Sequence, residues 1–123
     1  MVSGGYNDIR HQDSAARGAV EAVFLALRQA LPHADIIGIG PFWPRRAVPP
    51  SVTALDAAVR SATARIGGLY LSAIAPNPIA DPALIASDGV HPNDQGHAAI
   101  AAQVVKQLAA CRAREEVVCP ARR

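Results

Sequence analysis

The sequence predicts an α/β fold: a three-layer α/β/α sandwich on a parallel sheet, incomplete at its N-terminus. Two observations carry the class. Short apolar runs bounded by glycine and proline recur along the chain, and each is followed by a stretch with the i, i+3, i+4 apolar spacing of an amphipathic helix. Strands alternating with helices in this way imply parallel pairing, with helices on both faces of the sheet.

The elements follow in order. Met1-Val2-Ser3 reads as the last residues of a strand and runs straight into the glycine-rich turn Gly4-Gly5-Tyr6-Asn7-Asp8. Residues 14–31 set Ala16, Ala19, Val20, Val23, Phe24, Leu27 and Leu31 on one helical face, with Asp13 or Ser14 as N-cap and Pro32 as the stop. Residues 34–40 form a short buried strand closed by Gly40-Pro41. Pro41, Pro44, Pro49 and Pro50 keep residues 41–50 extended. A second helix follows, with Val52, Leu55, Val59, Ala62 and Ile66 on its stripe, Ser51 as cap and Gly67-Gly68 as terminator. Residues 69–74 are the third strand. Residues 75–92 hold Pro76, Pro78, Pro82 and Pro92 and form a loop of a length that is usually either functional or disordered. The last helix covers residues 94–111, capped by Asn93 or Asp94, with Ala98, Ala101, Val104, Val105 and Leu108 facing inward.

The composition supports one core and no more. Of 123 residues, 50% are hydrophobic and 18% charged, which is a globular balance with no room for two domains. The expected division is a domain over residues 1–111 and a solvated basic tail over residues 112–123, where Arg112, Arg114, Arg122 and Arg123 fall. A formal charge of +2 gives no argument for nucleic acid. No apolar run nears the ~20 residues of a membrane span, and residues 1–14 lack the tripartite pattern of a signal peptide. Cys111 and Cys119 stand as a disulfide or as two free thiols.

In a parallel sheet, reactive groups gather in the loops beyond the C-terminal strand ends. Here those loops are residues 5–12, 40–50 and 75–92. In the third, Asp88 and His91 stand three apart around Gly89, which permits the bend. A carboxylate so placed accepts a hydrogen bond from the imidazole, which sets its tautomer and leaves the second nitrogen as a general base. In the first, Asn7 offers an amide N–H₂ suited to developing negative charge. Trp43 and Phe42, in the second, either line a cleft or cover the sheet end. Asp88, His91, Asp94 and His97 are all metal-binding types, yet Pro92 and the helix start separate the two pairs, so no metal site is expected. His97 is read as structural.

Gly5-Tyr6-Asn7-Asp8 resembles the Gly-x-Asn-Asp block of the SGNH (GDSL) hydrolases, and Asp88-Gly89-Val90-His91 resembles their Asp-x-x-His block. The tract Pro92-Asn93-Asp94-Gln95-Gly96-His97-Ala98 is also similar to that family, and the resemblance spans residues 2 to about 109. It implies a flavodoxin-like fold and hydrolysis of a small-molecule ester or acyl substrate through a serine acyl-enzyme, without cofactor. It also implies that His91 is the base, Asp88 its orienter, Asn7 an oxyanion donor and Gly5 a substrate-binding position.

The family's Gly-Asp-Ser block has no counterpart here. Ser3, Ser14, Ser51, Ser61, Ser72 and Ser87 all lie outside such a context. Each β-α unit needs roughly 30 residues, so the expectation is that about 60 or more precede this sequence in the family's arrangement. The chain alone is then inactive, with an N-terminal portion bearing the nucleophile as its partner. The second reading is a non-catalytic α/β module that binds a ligand or partner, or a reading frame without independent activity.

Overall fold

The computed structural model describes residues 1–10 and 14–113. Three parallel strands, β1 (Val2–Ser3), β2 (Ile37–Ile39) and β3 (Leu69–Leu71), lie in the order β1-β2-β3. Val2 pairs with Gly38, and Gly38 with Tyr70. The helices are α1 (Ser14–Ala30), α2 (Pro50–Arg65) and α3 (Asp94–Ala113), with short 3-10 turns at Tyr6–Arg10 and Pro82–Leu84. Helix and parallel strand alternate as the sequence predicts, and the α/β class holds.

The strand period of two sorts the core into two clusters. Phe24 of α1 packs with Ile36 and with Val59, Ala62 and Ile66 at α2, with Tyr70 against them. Ile39, Leu69, Leu71 and Ala73 form the second cluster, against Val104, Leu108 and Cys111 of α3. Phe24 is 3% exposed, and burial of one such side chain contributes about 2 kcal/mol.

Several boundaries differ from the sequence reading. β2 and β3 are three residues each, shorter than residues 34–40 and 69–74. The reason at β3 is Gln107 of α3, whose side-chain amide exchanges two hydrogen bonds with the Ser72 backbone, at 3.0 and 2.7 Å, in place of a ladder. Helix α2 begins two residues earlier than a Ser51 cap allows. Pro49 is the N-cap and Pro50 takes the first helical position, where a missing N–H costs nothing. The α3 stripe is also rotated: Val105 is 65% exposed and Ala98 and Ala101 are exposed, while Val104, Gln107, Leu108 and Cys111 face the sheet. An alanine-rich helix carries little amphipathic signal, so the sheet decides its rotation.

On α1 the predicted stripe is only partly covered. Phe24 is buried, but Val23 and Leu31 are each 50% exposed. A groove of about 300 Å³ runs between this face and β1, lined by Val2, Ala16, Ala19, Val20 and Val23 among others. The cap assigned to Asp13 or Ser14 lies outside the described residues, Asp13 by position and Ser14 by its side chain. So do Cys119, and with it any pairing to the half-buried Cys111, and residues 114–123 of the basic tail. Among the described residues no helix is long and apolar enough to cross a membrane.

Candidate active site

Because the strands are parallel, their three following loops emerge at one edge of the sheet. A cleft of about 200 Å³ opens there. Ser3 at the end of β1 lines it with Gly4, Tyr6 and Asn7 of the first loop, Phe42 and Pro44 of the second, and Ile79, Val90, His91 and Pro92 of the third. Asn7 and His91, 84 positions apart in sequence, thus border one space.

Local chemistry shapes each contribution. The Asp8 N–H donates to Gly5 O at 3.0 Å, which closes the turn that carries Asn7. Gly5 itself borders the groove under α1 and is not among the residues of the cleft. Its φ of +102° and the 2.7 Å that a Cβ would have to Leu55 Cδ2 give it a backbone role.

The third loop is built around Asp88. Its Oδ1 accepts the Val90 and His91 backbone N–H groups at 2.9 and 3.0 Å, and its Oδ2 accepts His91 Nδ1–H at 2.6 Å. Gly89, with φ +72°, makes the bend possible. The Ala86 N–H donates to His91 O at 2.7 Å and Ile85 bridges Pro92, so residues 85–92 fold back on themselves. Asn93 then anchors this turn to α3. Its Oδ1 accepts the Gly96 N–H at 3.0 Å as a helix cap, while its Nδ2 donates to Ala83 O at 2.8 Å. Of the two caps the sequence allows, Asn93 is the one used.

The geometry gives a cleft bordered by an amide and by an imidazole whose Nδ1 is engaged by a carboxylate. The family model for the GDSL-like lipase/acylhydrolase family matches residues 1–99, four-fifths of the chain. The chain belongs to that family. Over 86 residues it is 33% identical to a protein named GDSL lipase Rv0518 from Mycobacterium tuberculosis (strain ATCC 25618 / H37Rv), an alignment that covers 69% of this chain. The chain spans 37% of that relative's length. No solved structure matches.

In this GDSL-like chain Ser3, Gly4, Tyr6, Pro44, Ile79, Val90 and Pro92 line the cleft without having been expected there from the sequence. Ser3 and Gly4 sit at the exit of β1 and Val90 lies inside the Asp-x-x-His tract, so proximity to the motifs was a usable signal. For Ile79 there was none, since nothing local distinguishes it from any other loop apolar residue.

The Asp88 carboxyl is held down to about 2 from an ordinary 3.8, chiefly by the hydrogen bond from the His91 ring and then by the two backbone donors. A lowered value means the charged form is favoured in the folded state. Its hold on the turn is therefore full above 3.8 and is lost as pH falls through about 2. Carbon-detected NMR titration of Asp88 is expected to read about 2, and in His91→Ala to rise toward 3.8. A wild-type reading of 3.8 would mean that the pair does not form in solution.

Proposed function

We propose that this chain supplies the acid–base half of a serine esterase site, with His91 as general base and then acid, Asp88 as its orienter and Asn7 as an oxyanion donor. The observation that carries the reading is that Asn7 and His91 line one cleft while Asp88 engages His91 Nδ1 at 2.6 Å. An ionised carboxylate only accepts, so Nδ1 bears the proton and Nε2 is left to take one. A serine hydroxyl presented to Nε2 would lose its proton as Oγ attacks the ester carbonyl. The tetrahedral oxyanion would be met by the Asn7 N–H₂, and the imidazolium would return the proton to the leaving alkoxide. Water then repeats the cycle on the acyl-enzyme.

The serine in this reading comes from residues outside these 123. Two features support that. No serine of the chain stands in a Gly-Asp-Ser context. In addition, β1 is an edge strand beside the apolar groove along α1, the kind of surface that a further β-α segment covers. On the same reading, residues 1–111 form part of a three-layer α/β/α sandwich. The substrate is a small-molecule ester, and the partner is the segment bearing the nucleophile.

The test is covalent labelling with a serine-directed fluorophosphonate. The 123 residues alone are expected to remain unlabelled, and a form that includes a Gly-Asp-Ser segment is expected to label to one equivalent. Stoichiometric labelling of the chain alone, above all at the cleft-lining Ser3, would overturn the assignment of the nucleophile to another segment.

A further inference from the structure

The cleft has an apolar side that the proton-transfer groups do not use. Phe42, Pro44, Ile79 and Val90 line it, and their positions are braced. Asn77 Nδ2 donates to the backbone carbonyls of Trp43 at 2.9 Å and Arg45 at 3.0 Å, and its Oδ1 accepts the Ile79 N–H at 3.1 Å. One side chain thereby ties the loop after β2 to the loop after β3. The Trp43 ring stacks on Tyr6 with centroids 5.8 Å apart, and its Nε1–H donates to Ala47 O at 2.8 Å, so the loop after β1 is joined in. Ile79 is 1% exposed and Pro44 is buried. Such a wall has no slack to retreat into, because close-packed interiors resist displacement.

We propose that Phe42, Pro44, Ile79 and Val90 form the acyl subsite of this cleft, that it accepts a short acyl chain, and that Asn77 is the positioning residue which sets the limit. This rests on the hydrolase reading above. A water molecule's share of liquid volume is about 30 Å³, so a cleft of about 200 Å³ takes roughly six or seven non-hydrogen atoms. With two of these spent on the carbonyl, an acyl chain of up to about five carbons fits. Each methylene accepted should tighten binding about fourfold. Beyond the limit, added methylenes stay in water and gain nothing.

The test uses the chain as it is, isotopically labelled, titrated by NMR with the sodium salts of the straight-chain acids from acetate to octanoate. These are the acyl products, and they are not consumed. The expected result is a Kd that falls about fourfold per methylene through pentanoate and then levels off. The His91 ring, the Asn7 amide and the Ile79 and Val90 methyls should shift together, with a change in emission of Trp43, the one tryptophan in the sequence. Phe42→Ala should carry the rising series on to octanoate. Asn77→Asp keeps the acceptor for the Ile79 N–H and loses both donors to the Trp43 loop. It should blunt the length limit as Asn77→Ala does, a change in selectivity that a role in stability alone would not produce.

Affinity that climbs unbroken to octanoate in the wild type would overturn the proposal. Shifts at His91 and Asn7 without any at Ile79 and Val90 would overturn it while leaving the hydrolase reading intact. Shifts at Ile79 and Val90 alone would separate the apolar wall from the reacting groups and sink both.

Discussion

Replacing His91 by alanine is expected to lower kcat/KM for ester hydrolysis about 10⁴-fold in any form of the protein that includes the nucleophile, with KM little changed. The magnitude follows from the role. Without the imidazole, the attacking hydroxyl has nowhere to place its proton and the leaving alkoxide has no donor. Asp88→Asn should cost less, about 10²-fold, because the Asp88 side chain is 50% exposed and its partner 76% exposed, so water shares in orienting the ring. Asn7→Ala should cost about 10²–10³-fold through loss of one oxyanion donor. The Asp88→Ala/His91→Ala double variant should be no slower than His91→Ala alone, because an orienter has no effect once the group it orients is gone. Initial-rate kinetics on a short-chain ester would check the series. Retention of more than a tenth of the activity by His91→Ala would remove His91 from the chemistry.

The largest structural effect is expected at Gly40→Ala, with a loss of about 3–5 kcal/mol in urea unfolding. Gly40 follows β2, and its N–H donates to Leu71 O at 3.0 Å, which continues the sheet one residue past the strand. A Cβ at this position would lie 2.1 Å from Asp56 Oδ1 and 3.1 Å from Tyr70 Oη. Those two atoms belong to a pair in which the Tyr70 hydroxyl donates to a carboxylate on α2 that is 6% exposed. Burial pushes the Tyr70 phenol up from 10.0 to about 12, and the adjoining Asp56 charge adds to it. The raised value means that the pair's stabilisation is complete below pH 10.0 and fades as pH rises through about 12. Gly40→Ala must break this pair and also force the first residues after β2, which lead into the cleft loop, away from α2. Tyr70→Phe isolates the first part and should cost about 1–3 kcal/mol, as a buried acceptor loses its donor. If Gly40→Ala cost less than Tyr70→Phe, α2 would have to be able to shift freely, and the close approach would not be a constraint.

The legible part of this protein was whatever follows from local chain chemistry. The i, i+3, i+4 stripe found α2 because Val52, Leu55, Val59 and Ala62 do face the core. The turn at Asp88-Gly89-Val90-His91 was readable because the contacts Asp88 makes in it span three residues or fewer. Rotation of α3 was not readable, since a helix of Ala98, Ala101, Ala102, Ala109 and Ala110 presents small apolar surface on several sides and the sheet selects among them. The backbone role of Gly5 was not readable for a related reason. Its place in a motif suggested a ligand contact, whereas a positive φ and the packing of Leu55 against it account for a glycine there.

Chain order alone was enough for the alternation of strands and helices, the family to which the chain belongs, and the carboxylate–imidazole turn. The elements and the turn depend on residues close together in the chain, and the family on two short blocks, each of them local. Packing of distant segments was needed to show that Asn7 and His91 line one cleft, that Ile79 and Val90 border it, and that Asn77 ties two loops together. Parallel pairing brings three loops from distant stretches to one edge, and which side chains meet there depends on strand register and packing that no local pattern records.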